Sequence, residues 1–441
     1  MRIRHPNKLP SCVFANQQGE IMDFPGLAMA GRSGRRLERP ALSDLIPLPE
    51  GSELFVLPDR FPIGLDPVGK RPVTLDCNPF APNEKAQAVA AFMAPAHTAI
   101  YIAAFTRANH KIAPLPLFAY TAVGWAEGRF WVAAFRSDPD ERQDSRHFHA
   151  DRIAANAKKQ LLAFPKNRLI SHLGKCCLFY GCPAARNYFL RRWETPLPTS
   201  PICNARCLGC ISFQPSGSSC PSTQERITFV PTAQEIAEVA IPHIRKAQRP
   251  VVSFGQGCEG EPLLQAKTIA NAIRLIRKDT AQGTINLNSN ASLPVEVERL
   301  AALGLDSLRI SMNSARKILY ERYYRPQGYD FTAVLSSIEV MKKAGRFVSL
   351  NYFILPGLSD DPEEFAALCG LIEAYRPDML QLRNLNMDPD WYLDEVAPDQ
   401  KSKSMGIRRW RQELIRRFPQ LRLGYYNPFL GDSGLLTLSI K

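Results

Sequence analysis

Three cysteines on one short stretch are the residues of this chain best suited to metal and redox chemistry. Residues 201–212 read PICNARCLGCIS and place thiols at Cys203, Cys207 and Cys210. Three thiolates at this CxxxCxxC spacing can bind three irons of one cubane cluster, which leaves the fourth iron without a protein ligand. An iron with an open position is a place where chemistry can occur on a bound molecule. The spacing therefore predicts a reactive [4Fe–4S] cluster on this loop, with the three cysteines as its ligands.

Zinc and disulfide bonds are the competing uses of these cysteines. Zinc usually takes four ligands in two CxxC or HxxxH pairs, whereas this stretch carries one triplet. A disulfide framework is disfavoured because the chain is long and nothing at its start resembles a secretory leader. The alternative function that stays open is a zinc- or Fe–S-stabilised nucleic-acid-binding protein without radical chemistry.

The triplet resembles the signature of the radical S-adenosylmethionine (radical SAM) superfamily. There the cluster chelates the methionine amine and carboxylate of SAM and reductively cleaves the sulfonium to a 5′-deoxyadenosyl radical. The resemblance implies an enzyme with a [4Fe–4S] cluster and SAM as cofactors, and a reductant such as flavodoxin or ferredoxin as partner. The superfamily often has an aromatic residue just before the third cysteine, where this chain has Gly209. Ile211 and Phe213 are the nearby residues that could pack on the adenine instead.

A glycine-rich stretch, GQGCEGEP at residues 255–262, fits two motifs. Its GxGxxG pattern follows a strand and precedes a helix, as in a dinucleotide fingerprint. A Rossmann fold also needs an acidic residue at the end of the next strand, but that strand ends in Asn288, Ser289 and Asn290. A Rossmann-type oxidoreductase is therefore the less favoured interpretation. The stretch also resembles the GGE motif of radical SAM enzymes, which implies that Gly260, Glu261 and the preceding glycine backbone hold the methionine amine.

Polar side chains recur at the ends of the predicted strands. Small hydroxyl and amide groups donate and accept hydrogen bonds at short reach. The resemblance implies that they bind the carboxylate and ribose of SAM, and the residues concerned are Asn288, Asn290, Ser311 and Asn313. Arg383, at a later strand end, either pairs with the substrate or the cofactor carboxylate or forms a structural salt bridge. No residue is assigned a catalytic role on the substrate.

A second group of cysteines precedes the triplet. Cys176, Cys177 and Cys182 lie in CCLFYGC, and Cys182 is 21 residues before Cys203. Several radical SAM families hold an auxiliary cluster through cysteines outside the triplet, so the resemblance admits a second Fe–S cluster here. Because adjacent cysteines rarely bind one metal together, we expect this set to supply two ligands. Packing of buried free cysteines is the open alternative. Cys258 is interpreted as a small loop residue in preference to an extra ligand.

Alternating strands and helices must position these residues. The pattern predicts helices over 232–248, 263–277, 294–303, 331–344 and 362–375, and strands over 251–254, 284–288, 307–312, 347–353 and 379–383. Elements in this order form parallel βα units, and one more strand before Cys203 brings the strand count to six. The predicted fold is α/β, a partial (β/α)6 TIM-like barrel of the radical SAM type, with its sites at the carboxyl ends of the strands.

The 441 residues are enough for two or three domains. We expect a basic, poorly ordered extension at 1–40, an α+β domain with a cysteine-rich end at 41–195, the radical SAM core at 196–390 and a basic C-terminal α/β extension at 391–441. His147 and His149 resemble a metal-binding pair, but no third ligand stands nearby in the sequence. We interpret them as exposed histidines.

The net charge of +13 is concentrated at the two ends of the chain. Residues 1–40 carry seven basic and three acidic side chains, and residues 401–441 carry nine and two. Basic ends either bind a polyanion such as RNA or form solvated surface. In a predicted helix over 406–418, Trp410, Leu414 and Phe418 recur every four residues, which is the spacing of a buried stripe. The substrate stays open among a small metabolite, a peptide and RNA.

Apolar runs in this sequence are short. None approaches the about 20 residues that span a bilayer, so we expect no membrane segment and no membrane partner. Clustered cysteines in a long chain fit a reducing compartment, and we expect a cytoplasmic location.

Overall fold

The computed structural model describes residues 8–109, 111–218, 220–400 and 403–431. Its first part is an antiparallel β domain. The strands are β1 (Ser11–Ala15), β2 (Ile21–Met29), β3 (Gly31–Ser33), β4 (Arg36–Glu38), β5 (Leu45–Pro47), β6 (Glu53–Leu57), β7 (Arg60–Leu65), β8 (Pro72–Thr74), β9 (Cys77–Asn78), β10 (Ala81–Lys85), β11 (Gln87–Phe92), β12 (His97–Ala99), β13 (Ile102–Ala103), β14 (Phe105–Arg107), β15 (Val123–Ala126) and β16 (Arg129–Arg136).

Strand β1 lies inside this domain and pairs antiparallel with β2, β11 and β15. Both faces of β1 are buried: Val13 and Ala15 pack into one apolar cluster, and Phe14 on the opposite face is also inaccessible to solvent. The prediction of a poorly ordered extension over 1–40 was therefore wrong for residues 8–40. A strand buried on both faces shows no alternation of polar and apolar residues, so the pattern did not reveal it. Residues 1–7 lie outside the described residues.

Three helices connect the β domain to the barrel. They are α1 (Ala150–Ala163), α2 (Arg168–Leu178) and α3 (Pro183–Leu190). Cys176 and Cys177 lie on α2, and Cys182 is the N-cap residue of α3. His147 and His149, just before α1, are exposed, as expected from the sequence.

The second part of the chain is a parallel half-barrel. Its elements are β17 (Glu194–Pro196), α4 (Ala233–Lys246), β18 (Val251–Phe254), α5 (Ala266–Asp279), β19 (Thr284–Ser289), α6 (Pro294–Leu303), β20 (Ser307–Met312), α7 (Lys317–Tyr324), α8 (Phe331–Lys343), β21 (Phe347–Ile354), α9 (Pro362–Tyr375), β22 (Met379–Asn384), α10 (Pro389–Val396), α11 (Ile407–Arg417) and β23 (Arg422–Gly424).

The seven strands β17 to β23 lie side by side in chain order, and each neighbouring pair is parallel. The predicted α/β half-barrel is confirmed, with β17 as the expected strand before the triplet. Strand β23 is a seventh strand that the sequence pattern did not predict. It belongs to the C-terminal extension, so that segment completes the sheet.

Side-chain caps fix where the barrel helices begin. Thr232 and Glu235 form a reciprocal capping box at the start of α4. Asp361 caps α9, where Pro362 takes the first helical position. Each cap ends the loop at the carboxyl end of one strand and sets the start of the returning helix.

Helix α11 packs against the outside of the barrel. Trp410 and Leu414 are fully buried, and the Trp410 ring stacks on Tyr352 at 6.4 Å between centroids. The predicted buried stripe is therefore confirmed at Trp410 and Leu414, while Phe418 is partly buried and follows the last residue of the helix. Two of the arginines on this helix are also engaged with the β domain: Arg408 pairs with Asp44, and Arg411 lies over the ring of Phe135.

The β domain is tied to the barrel at the carboxyl end of β22. The Asn384 amide accepts from the Ala99 backbone N–H at 2.9 Å and donates to the His97 carbonyl at 3.0 Å. The buried Arg60 guanidinium pairs with Asp388 at 3.1 Å just after that strand.

Among the described helices, none combines the length and the apolar character needed to cross a membrane.

Candidate active site

The cysteine loop lies at the carboxyl end of β17 and is held by backbone hydrogen bonds on both sides. On one side, the Leu208 N–H donates to the Tyr323 carbonyl at 3.1 Å. On the other side, the Gly260 N–H donates to Ser200 at 2.6 Å and the Glu261 N–H donates to Ile202 at 2.8 Å. The loop is thus fixed between α7 and the glycine-rich loop that follows β18.

The three thiols of this loop are partly exposed. Burial raises the pKa of Cys203 to about 11, and burial followed by the neighbouring Cys210 raises the pKa of Cys207. The Arg226 guanidinium reaches within 3.5 Å of Cys210 Sγ. Metal binding at this loop would displace thiol protons, because the thiolate is the ligand.

The spacing of the triplet suits a cluster better than a single ion. In the described ranges, one group of three potential metal donors lies within 4.8 Å of one another, and the triplet is not that group. Each cysteine of a cubane binds a different iron, which requires wider spacing than one ion does. The three thiols lie on one partly exposed loop and are too widely spaced for one ion, which is compatible with ligands of a [4Fe–4S] cluster.

Gly209 stands where an aromatic residue was expected, and its surroundings explain the glycine. A Cβ on Gly209 would lie 3.0 Å from the Tyr323 hydroxyl and 3.1 Å from Met387 Sδ. Tyr323 and Met387 therefore occupy the space that a larger residue would need. Phe213 is 57% exposed and carries Arg226 over its ring at 5.1 Å, so it extends away from the core.

Two glycines of the loop after β18 allow close backbone approach. A Cβ on Gly255, whose φ is +76°, would lie 1.6 Å from the Asn288 carbonyl oxygen. A Cβ on Gly260 would lie 2.0 Å from the Ile202 carbonyl oxygen. The motif is therefore needed to bring this loop against β19 on one side and the cysteine loop on the other.

Buried Glu259 holds the same loop from within, a role that the sequence did not indicate. Its carboxylate accepts hydrogen bonds from the backbone N–H groups of Thr199, Ser200, Gly255 and Gln256 at 2.7–3.0 Å. Burial raises the pKa of Glu259 despite these donors. This single side chain thus joins the start of the cysteine loop to the glycine-rich loop.

Glu261 was predicted to accept from the methionine amine, but its carboxylate is bound by the chain itself. It accepts from Leu263 N at 2.9 Å, from Ser289 Oγ at 2.6 Å and from Asn290 N at 2.8 Å. The side chain is 3% exposed, and burial raises its pKa to about 7. This geometry gives Glu261 a positioning role, since an ammonium group would have to compete with three internal donors.

The predicted asparagines are likewise engaged inside the protein. The amide of Asn288 donates to the Gly255 carbonyl at 2.9 Å, and that of Asn290 donates to Asn204 at 2.8 Å. Asn313 is buried and donates to the Leu319 carbonyl at 3.0 Å. Asn288 and Asn290 thus connect neighbouring loops at the site edge. Asn313 joins β20 to α7, and its Oδ1 has no partner among the described residues.

Unused polar groups line the inside of the half-barrel. Ser311 on β20 and Asn351 on β21 are direct neighbours in register, and Asn351 Oδ1 is buried without a partner in the described part of the chain. Arg309, two residues before Ser311, has an Nε with no hydrogen-bond partner in the described ranges. Burial, followed by the nearby Arg383, lowers its pKa to about 9. Arg383 itself donates to the Tyr425 carbonyl at 2.7 Å.

Arg309 and Asn351 were not predicted as site residues. The available signal was the alternation of β20 and β21, where apolar residues such as Leu308 and Leu350 face the helices and every second residue is polar. That alternation assigns the polar residues to the barrel interior.

The predicted auxiliary set at Cys176, Cys177 and Cys182 is only partly brought together. The donor group within 4.8 Å consists of His172, Cys176 and Cys258. Successive helical residues point about 100° apart, so Cys177 faces away from Cys176, whereas His172 is one turn away on the same face. Cys258, interpreted as a loop residue, lies directly at this group.

These observations define a class: a parallel half-barrel with a fixed three-cysteine loop at the carboxyl edge of its first strand. Residues 197–369 match the family model of the Radical SAM superfamily. The chain therefore contains a radical SAM domain, as the triplet indicated. The cofactors of that superfamily are a [4Fe–4S] cluster and SAM.

Similar curated proteins are enzymes. A probable dual-specificity RNA methyltransferase RlmN of Synechococcus sp. is 26% identical over 155 residues, which are 33% of this chain and 42% of that protein. A GTP 3',8-cyclase of Rhizobium etli is 23% identical over 236 residues, 51% of this chain and 59% of that protein. The chain thus spans about half the length of these relatives.

Solved structures were also compared. SuiB of Streptococcus suis bound to S-adenosylmethionine is 14% identical, with a TM-score of 0.39 over 63% of this chain and 67% of that one. A radical SAM methyltransferase from Sphaerobacter thermophilus is 14% identical, with a TM-score of 0.33 over 46% and 63%.

Proposed function

We propose that this protein is a radical SAM enzyme that binds a [4Fe–4S] cluster through Cys203, Cys207 and Cys210. The observation that supports this proposal is the placement of the triplet at the carboxyl edge of the half-barrel, hydrogen-bonded to the loop of residues 255–261. When bound, the cluster supplies the electron that splits SAM into methionine and a 5′-deoxyadenosyl radical. We propose a low-potential carrier such as flavodoxin or ferredoxin as the reductant.

Residues of the chain have separate tasks in this proposal. Arg226 places a cation beside Cys210, which offsets the negative charge of a thiolate-ligated cluster. Glu259 and Glu261 keep the glycine-rich loop against the cysteine loop. Asn351 Oδ1, which has no partner among the described residues, can accept from a ribose hydroxyl of SAM. The hydroxyl of Ser311, its neighbour in register, can donate to the SAM carboxylate.

The charge of the barrel interior favours an anionic substrate. Arg309 and Arg383 lie close together there, while the nearby Glu194 carboxylate already accepts from Ser253 at 2.5 Å and from Asn427 at 2.7 Å. The Nε of Arg309 has no hydrogen-bond partner among the described residues, and such a guanidinium suits a carboxylate or phosphate group. This feature favours a small anionic metabolite among the three substrate classes.

Calorimetric titration with inorganic phosphate, and separately with a small dicarboxylate, tests this substrate class. We expect one of the two to bind, with at least a tenfold loss of affinity in Arg309→Gln, the minimum for a lost hydrogen bond to a charged group. Failure of the wild-type protein to bind either anion would contradict the assignment.

RNA modification is the second candidate, favoured by the name of the similar RNA methyltransferases and by the basic C-terminal segment. Arg408 and Arg411 of α11 are nevertheless engaged within the protein. Binding of bulk tRNA at increasing salt decides this point, since phosphate contacts make affinity fall steeply with salt. Absence of binding at low salt would remove RNA from the candidates.

Anaerobic reconstitution tests the cluster itself. Wild-type protein should acquire about four irons and a broad absorbance at the blue end of the visible spectrum. Replacement of Cys207 by Ser should abolish both, whereas Cys369→Ser, a buried thiol on α9 outside the loop, should retain them. Wild-type protein that stays colourless and binds no iron would refute the proposal.

A further inference from the structure

Three metal-binding side chains from distant parts of the chain meet near the cysteine loop. His172 and Cys176 lie one turn apart on the same face of α2. Cys258 comes from the glycine-rich loop after β18, and all three donor atoms lie within 4.8 Å of one another. His172 Nε2 is 3.5 Å from Cys176 Sγ. Cys176 and Cys258 are buried, while His172 is partly exposed.

We propose that His172, Cys176 and Cys258, together with Cys182, form a tetrahedral site for one zinc ion. With Zn–S bonds of about 2.3 Å and Zn–N bonds of about 2.0–2.1 Å, a sulfur and a nitrogen ligand of tetrahedral zinc lie about 3.5 Å apart. The distance between His172 Nε2 and Cys176 Sγ has this value. A [4Fe–4S] cluster would need its ligands further apart, since each would bind a different iron.

Cys182 is assigned the fourth position because the start of α3 lies beside the end of α2, although its thiol is not one of the donors that lie within 4.8 Å of one another. Its backbone N–H donates to the Cys176 carbonyl at 3.0 Å, which brings the start of α3 to the end of α2. Its thiol is within electrostatic reach of both Cys176 and Cys258. A set of three cysteines and one histidine is a common ligand set for structural zinc.

The charge around the site suits this ligand set. Zinc with three thiolates and a neutral imidazole carries one net negative charge, and the thiol protons are released to solvent on binding. Lys175 is within electrostatic reach of Cys176, and Arg186 is within reach of Cys182. Lys175 also forms an ion pair with Glu225, so the two cations and this carboxylate together offset the single negative charge of the site.

Zinc at this position would link helix α2 to the glycine-rich loop that supports the cysteine loop. It would fix α2 to the loop of residues 255–261, whose Gly260 contacts the cysteine loop. A cleft of about 380 Å³ beside His172 gives access to the site. Arg226 lines this cleft and also reaches Cys210, so the zinc and the proposed cluster would lie on either side of one arginine.

Metal analysis of the full-length protein tests the inference. Protein produced with added zinc should contain about one zinc per chain, and Cys258→Ser and His172→Ala should lower this content at least fivefold. Cys177→Ser is the matched control, because this thiol lies next to Cys176 on α2 and is equally buried but faces away. It should retain the zinc.

Cobalt substitution provides a readout that does not depend on activity or on variant stability. Wild-type protein loaded with Co²⁺ should show the intense visible bands of a tetrahedral site and the near-ultraviolet charge transfer of thiolate ligands, and Cys258→Ser should weaken the latter. Cys207→Ser should leave zinc unchanged while it removes iron, so the two proposals can fail separately. The zinc site would be overturned if the wild-type protein bound neither zinc nor cobalt, or if Cys177→Ser lost as much zinc as Cys258→Ser. Iron with sulfide bound at these residues would also overturn it.

Discussion

Replacement of Gly260 by Ala is a severe test of how the cysteine loop is positioned. The new Cβ would lie 2.0 Å from the Ile202 carbonyl oxygen and 2.4 Å from its carbonyl carbon, both backbone atoms that cannot rotate away. Separation of the two loops would break the hydrogen bonds from Gly260 to Ser200 and from Glu261 to Ile202. Two backbone hydrogen bonds at about 1 kcal/mol each and an overpacking cost of about 1–3 kcal/mol give a loss of roughly 3–5 kcal/mol.

Urea denaturation and iron analysis measure this effect. Gly260→Ala should lower the free energy of unfolding by roughly 3–5 kcal/mol and reduce the iron retained after reconstitution. Gly257→Ala is the control, because its Cβ would meet the ends of the Gln224 and Ile211 side chains, which can move aside. Equal stability and iron content in Gly260→Ala and wild type would show that the two loops are not held in contact.

Two further predictions concern stability. Buried His243, whose Nε2 is 2.8 Å from the Trp193 carbonyl oxygen, has its pKa lowered to about 4 by burial. The neutral form is therefore favoured on folding, and its contribution to stability is full above pH 6.5 and lost as pH falls towards 4. Relative to His243→Gln, the wild type should lose roughly 3 kcal/mol of unfolding free energy over this range. If the unfolding free energies of the two proteins changed in parallel with pH, this prediction would be contradicted. Trp410→Ala should cost about 3–5 kcal/mol by urea denaturation, whereas exposed Arg409→Ala should cost almost nothing; equal costs would place Trp410 outside the core.

Much of the barrel could be predicted from the sequence because its elements have clear periodicity and caps. Helices α6 and α9 and strands β18 and β20 have the predicted bounds. The β domain was less predictable, since short strands such as β1 are buried on both faces and carry no alternation. Strand β23 is too short to show a pattern, and its pairing with β22 is determined by tertiary structure.

Within the site, residue type and spacing identified the cysteine loop and the close contacts of the glycines. They did not identify the hydrogen-bond partners of the site side chains. The sequence predicted that Glu261 and Asn290 contact the cofactor, and it did not show that the Glu261 carboxylate accepts from the Asn290 backbone N–H. The meeting of His172 with Cys258 requires α2 and the β18 loop to pack together, which only the fold reveals.

The release of 5′-deoxyadenosine from SAM tests the central claim most directly. Reconstituted protein with dithionite and SAM, analysed by chromatography under anaerobic conditions, should form 5′-deoxyadenosine and methionine in equal amounts, and Cys207→Ala should form neither. Wild-type protein with a full complement of cluster that binds SAM but releases no 5′-deoxyadenosine would contradict the proposal of radical SAM chemistry.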